Sequence, residues 1–168
     1  MPREPRRIVT GHDAEGKSII AIDGPPIAGA YWLTAGAPAD NTSPADTAGQ
    51  VRRLEPPPGG SIFRYAAIPP EDPNVSAEER ERATAKMFER MEASHCRADT
   101  SRHPGMHKTR TVDYVVLLSG EVTLLVDKGE VDLKPFDVVV QRGTNHAWVN
   151  KGKEPALIAA VLIDAKET

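Results

Sequence analysis

From residue 112 to residue 163 the chain runs through apolar stretches separated by only a few residues, and this crowding constrains the fold more than any other feature. Residues 112–119 and 121–126 are joined through Gly120. Asp127-Lys128-Gly129-Glu130 reads as a tight hairpin turn into residues 131–134. Lys134-Pro135-Phe136-Asp137 reads as a further turn, before apolar runs at 138–141, 145–150 and 156–163. Strands this short and this closely spaced predict an antiparallel barrel or sandwich.

The first 96 residues have a different texture. Prolines and glycines break them into short apolar runs at 7–10, 17–22, 30–34 and 61–68, which read as outer strands between turns. Residues 35–50 and 56–60 follow neither a helical nor a strand period and read as surface loop. Ser76-Ala-Glu-Glu79 is a capping-box signature, in which the serine oxygen meets the third helical amide and the glutamate returns to the serine N–H. A helix over about 76–94 is therefore predicted. Ala83, Met87, Phe88 and Met91 recur at helical spacing within it while Glu78, Arg80, Glu81, Arg82, Lys86, Glu89 and Arg90 supply a charged remainder, so the reading is a solvated helix laid over the barrel. The expected organisation is an N-terminal arm with short strands and loops over 1–60, packed on a barrel over 61–168 that carries the inserted helix, as one structural domain.

Composition narrows the function classes. The 21 basic and 24 acidic residues leave a net charge of −3, which creates no field to draw the chain to nucleic acid or an anionic membrane. No stretch approaches the ~20 apolar residues of a spanning helix. Cys96 is the single cysteine, so an internal disulfide is impossible. The chain reads as a soluble, cytoplasmic protein whose partner is a small molecule, with neither nucleic acid nor membrane involved.

Chemistry concentrates in two short segments. His107, Thr109, Thr111 and Asp113 are two residues apart, so in an extended segment all four side chains leave one face. His146, Trp148 and Asn150 form a second alternate set after the Arg142-Gly143-Thr144 bend. Two imidazoles and a carboxylate from neighbouring strands can occupy one side of a metal ion and leave its other positions open.

The stretch from His107 through Asp113 to Gly120 resembles the first cupin motif, H-x-H, three or four residues, E, six residues, G, with its six-residue gap preserved between Asp113 and Gly120. Asp137, Gly143, His146 and Asn150 are similar to the second motif, G-D-x4-P-x-G-x2-H-x3-N. The resemblance implies an all-β cupin jelly-roll β-barrel of the small, single-domain type, with irregular N-terminal strands and one surface helix. It also implies one divalent metal ion (Fe, Mn, Ni or Zn) on His107, Asp113 and His146. Four positions depart from the pattern: Thr109 stands for the second histidine, Asp113 for glutamate, Phe136 for the motif glycine and Gln141 for proline. A missing imidazole weakens metal affinity and opens a coordination position, which Thr109 can serve through a bound water or a hydrogen bond.

Other residues are candidates for substrate contact or for support of the ligands. His103, in a Pro-Gly loop, can swing in as a fourth ligand or stay a solvated loop residue. Arg64 interrupts the strand at 61–68 and shares a face with Ile62 and Ala66. On an inner face it pairs bidentately with a substrate carboxylate, and on the outer face it is a surface arginine. Tyr114 and Trp148 either line the cavity or fill the core, and Gln141 lies near the second motif. Cys96 beside His95 reads as a buried small residue or a free thiol.

Two functions are expected from these residues. One is a metal-dependent enzyme acting on a small oxygenated metabolite (a hydroxy or keto acid, an enediol or a catechol-like compound), its reaction open between dioxygenase and isomerase, lyase or decarboxylase. The other is a non-catalytic cupin that binds or senses a small molecule. Cupins of this size commonly pair by exchanging an N-terminal strand, so a homodimer is expected.

Overall fold

The computed structural model describes residues 5–166, and the part of the expected arm and barrel at 1–4 and 167–168 lies outside them. Ten strands form, each on an apolar run predicted above and within two residues of it: β1 Arg7–His12, β2 Ser18–Gly24, β3 Ala30–Thr34, β4 Ser61–Ile68, β5 Thr111–Ser119, β6 Val122–Val126, β7 Glu130–Leu133, β8 Val138–Arg142, β9 His146–Val149 and β10 Ala156–Asp164. One helix, α1, spans Ala77–Arg90, and Ser76 caps it with both hydrogen bonds of the capping box in place.

Two antiparallel sheets carry the all-β jelly roll, one in the order β3-β4-β10-β5-β8 and the other β7-β6-β9, while β1 and β2 make a separate hairpin. The alternation of β5 explains why the sheets stack: Thr111, Asp113, Val115 and Leu117 are buried while Tyr114 and Leu118 are exposed. Ala156, Ile158, Ala160 and Leu162 do the same on β10. With Val122, Leu124 and Leu133 from the smaller sheet these side chains make the main core. Truncating one of them, such as Leu117, to alanine typically costs 2–5 kcal/mol. The β1–β2 hairpin is anchored by Arg7, whose guanidinium forks onto Asp46 at 2.7 Å through each of two nitrogens and reaches the Tyr31 carbonyl at 3.2 Å.

The strand that carries the first motif passes between the sheets. His107 pairs with His146 of β9, extending the smaller sheet by one bridge, and four residues later the chain enters the larger sheet as β5. Several motif residues prove to hold the backbone. Gly120 has φ +78°, and a Cβ there would lie 2.7 Å from Ala156 Cα, which excludes any side chain. Asn150 donates to Ile68 and Glu154 carbonyls at 2.8 and 2.9 Å and accepts from Gly152 N–H at 2.8 Å, tying β9 to β4. Gln141 replaces proline by bracing the following bend itself, donating to the carbonyl and the hydroxyl of Thr144. Among the described residues no helix is long and apolar enough to cross a membrane.

Phe136 keeps the left-handed conformation of the glycine it replaces, with φ +77°, although its ring is 81 % exposed and gains little from packing. A left-handed non-glycine residue costs roughly 1–2 kcal/mol, partly offset by glycine's greater freedom in the unfolded chain. Phe136→Gly is thus expected to raise stability by about 1 kcal/mol, read as a melting temperature a few degrees higher in calorimetry. An unchanged or lower melting temperature contradicts this.

Candidate metal centre and cavity

His107 and His146 are partners across an antiparallel bridge, each donating its backbone N–H to the other's carbonyl at 2.9 Å. Directly opposed residues send their side chains to the same face, so the two imidazoles lie together with ring centroids 4.2 Å apart. Each ring is oriented by its own backbone. The Nδ1 of His107 donates to the Gly105 carbonyl at 2.9 Å, and the Nδ1 of His146 donates to the Thr144 carbonyl at 2.9 Å. A carbonyl only accepts, so Nδ1 carries the proton in both rings and Nε2 keeps its lone pair. Fixing the distant nitrogen this way is how metal-binding histidines are set in the right tautomer.

Burial keeps the pair uncharged. It pushes the His146 pKa down to about 3, with the neighbouring His107 adding to the effect and the Thr144 carbonyl opposing it. His107 is lowered for the same leading reason, against the pull of the Gly105 carbonyl. Phe88 of α1 packs on His107 with ring centroids 4.9 Å apart, and Trp148 meets His146 edge-on at 5.9 Å. Both Nε2 atoms are therefore free of a proton at neutral pH.

The rings open into a cavity of about 470 Å³, between the sheets and under α1, whose other walls include Arg64, Asp113, Met87 and Trp148. Asp113 is buried there with one carboxylate oxygen, Oδ1, lacking any hydrogen-bond partner. Burial raises its pKa to about 6, opposed by Thr111 and reinforced by the charge of Glu55. The donor atoms of His107, Asp113 and His146 do not all lie within 4.8 Å of one another; among the described residues the group of three that meets this distance is Glu55, His95 and Cys96. Aspartate is one methylene shorter than the motif's glutamate, which leaves its carboxylate nearer the strand. The imidazole pair, neutral, oriented and facing a pocket with an orphaned carboxylate oxygen, fits a divalent ion held through the two Nε2 atoms.

The remaining candidates divide. Thr109 reaches the cavity, but its hydroxyl is hydrogen-bonded to that of Thr111 at 2.7 Å. His103 also lines the cavity, with both nitrogens engaged: Nε2 donates to Glu71 at 2.7 Å and Nδ1 accepts from Gly105 N–H at 2.9 Å. It is a strut of the loop, with no nitrogen left for a fourth ligand. Tyr114 is a correction: it is half exposed on the outer face, because its neighbour Asp113 points inward and strand side chains alternate. Gln141 is buried opposite Asp113 in the β5–β8 register and serves the bend described above; it is not among the cavity's walls.

Glu55 has no local sequence signal and was missed. One carboxylate oxygen accepts Arg110 N–H and the other holds His95 Nε2, both at 2.8 Å. It thereby pins the strand that leads from His107 to Asp113. Cys96, 3.5 Å from His95 Nε2, is buried, and its thiol pKa is pushed up to about 11, so the group stays protonated at neutral pH.

The shift of Asp113 has a signed consequence for the metal-free protein. The folded state binds this proton more tightly than the unfolded chain, whose value is near 3.8, so stability falls as pH rises from about 4 to 6. His146 acts oppositely: the unfolded chain takes up its proton below about 6.5, so stability falls as pH drops. Asp113→Asn is therefore expected to add about 2–3 kcal/mol at pH 7, with the gain vanishing near pH 4 and a steeper acid limb left behind. Urea unfolding across pH 4–8 after chelator treatment measures this, and a gain independent of pH contradicts it.

The comparisons with known proteins agree with this layout. A family model for the cupin domain matches residues 92–162. "Phomopsin biosynthesis cluster protein C'" of Diaporthe leptostromiformis is 30% identical over 166 residues, covering 89% of this chain and 72% of its own. "Oryzines biosynthesis cluster protein J" of Aspergillus oryzae is 47% identical over 70 residues, 38% of this chain and 39% of its own. The "cupin-domain-containing oxidoreductase srdD" of Neurospora crassa is 39% identical over 66 residues, 37% of this chain and 34% of its own. With both motif histidines paired on facing strands and a relative matched over most of both chains, this protein belongs to the cupin family.

Proposed function

We propose that this protein is a metal-dependent cupin enzyme acting on a small oxygenated metabolite, and that its reaction is an oxidoreduction. The observation that carries the reading is the imidazole pair: two neutral rings that line the cavity, with their Nδ1 atoms committed to backbone carbonyls and their Nε2 atoms free. His107 and His146 would hold the ion, and Asp113, whose donor atoms are not gathered with theirs within 4.8 Å, would contribute its carboxylate from the same cavity. A divalent ion there supplies Lewis acidity toward a substrate oxygen and a place for that oxygen to bind. The chain's own residues do the rest. Phe88, Met87, Met91 and Trp148 form an apolar wall on one side of the site, and Ala66, Ile158, Ala160 and Leu162 give the substrate an apolar bed. The designation of the Neurospora crassa relative as an oxidoreductase favours redox chemistry over isomerisation, lysis or decarboxylation. The biosynthesis-cluster designations of the other two favour a specialised metabolite as substrate.

Metal content tests the reading. In a Cys96→Ala background, which removes the other group of three donors, the protein purified without chelator is expected to hold one ion per chain by elemental analysis. His146→Ala and His107→Ala should each weaken uptake by more than about a hundredfold, beyond the effect of losing a supporting hydrogen bond. Unchanged metal content in both variants rules the proposal out. Loss of metal with intact binding of the physiological ligand favours a non-catalytic binding protein instead.

A further inference from the structure

Arg64 lies on β4 between Ile62 and Ala66, whose side chains share its inward face, and its neighbours in register are Ala160 of β10 and Ala30 of β3. These two small side chains leave the guanidinium room inside the cavity. It has found no partner there. Among the described residues no carboxylate comes within ion-pair distance of it, and its buried Nη1 makes no hydrogen bond. Burial alone lowers its pKa, with no acidic neighbour to offset the effect.

The other charges around the cavity are accounted for. Glu71 is held by His103 at 2.7 Å and faces Arg80 at 3.9 Å, and Asp72 accepts from Asn74. Asp113 Oδ1 has no donor of any kind, so it does not meet Arg64. An arginine cannot shed its proton inside a protein, and although Arg64 is only partly buried, the burial of its unpaired Nη1 leaves part of the desolvation cost uncompensated. A cation held this way in an apolar-walled cavity is poised for an anion brought by the ligand.

We propose that Arg64 is the recognition site for a carboxylate of the substrate, which makes the substrate class a small organic acid bound with its carboxylate on the guanidinium and its oxygen function toward His107 and His146. The inference rests on the reading that this cavity is the substrate site. The planar fork of arginine matches two carboxylate oxygens. One guanidinium neutralises one carboxylate, whereas a phosphate dianion would bring a surplus charge into walls formed by Ala66, Val115, Ile158 and Leu162. The division is between walls: the larger sheet recognises the acid, and the smaller sheet presents the imidazoles.

Paired probes test this without an ion. Chelator-treated protein in a buffer free of carboxylates is titrated with benzoate, benzamide and inorganic phosphate, and binding is followed by calorimetry and by melting temperature. Benzoate is expected to bind and raise the melting temperature, with benzamide and phosphate weaker by roughly ten- to hundredfold. Arg64→Met should abolish the preference for benzoate, and without ligand it should melt at the same temperature as the parent or higher, since a partly buried charge with an unpaired Nη1 has been removed. Arg64→Lys, which keeps the charge and loses the fork, should retain part of the preference and serves if Arg64→Met does not fold. Equal binding of benzoate and benzamide, a preference that survives in Arg64→Met, or a lower melting temperature of ligand-free Arg64→Met overturns the proposal. Tighter phosphate binding overturns the carboxylate assignment. All arms use metal-free protein, so a failure here is distinct from a failure of the metal reading.

Discussion

Two reciprocal backbone hydrogen bonds, His107 to His146 and back, hold the functional architecture together. They place two residues from motifs 39 positions apart directly opposite each other. Side-chain proximity then follows from strand geometry and needs no special contact of its own. The same bridge decides where the chain crosses between sheets, since His107 is the last residue attached to the smaller sheet before β5 joins the larger one. Everything that lines the cavity is referred to this crossing. Glu55, His95 and the Arg110 amide stabilise it from outside, while Phe88 packs on it from above.

Burial shapes the electrostatics more than charge pairing does. The histidines are neutral because water has been removed from them, and Asp113 is raised for the same reason. The interior thus contains two uncharged imidazoles with free Nε2 lone pairs, an acid that resists ionisation and a cation without an ion-pair partner. The acid and the cation are unfavourable for the isolated fold at neutral pH, and all four groups are suited to a ligand that supplies what is missing. Stability given up at a site in this way is a recurrent trade in proteins that bind and transform small molecules.

Much of the fold was legible because the local signals and the tertiary structure agree. Period-two runs became strands, the Ser76–Glu79 box became a helix start, and the two motif histidines met. What escaped had no local signature or carried an ambiguity of two. Glu55 acts on His95 from 40 residues away. Alternation could not say which face of β4 was inside, and the register with β10 decided it for Arg64. Tyr114 was readable all along, because an inward Asp113 commits the next residue outward. Phe136 shows that a motif position can change residue while its backbone conformation persists. The carboxylate of Asp113 could be placed on the right face, but one methylene in side-chain length lies below what spacing can resolve.

The crossing of the first motif between sheets has an evolutionary consequence. Under the proposed function the ion rests on a pair that neither member can leave alone, whereas the opposite wall consists of β4 and β10 positions such as Arg64, Ala66, Ala160 and Leu162, which belong to the other sheet. Substitutions there leave the bridge that pairs the imidazoles unaltered, because its hydrogen bonds run from backbone to backbone. If the proposed function holds, a lineage with this layout can diversify what it accepts while inheriting its paired histidines unchanged, one small side chain at a time.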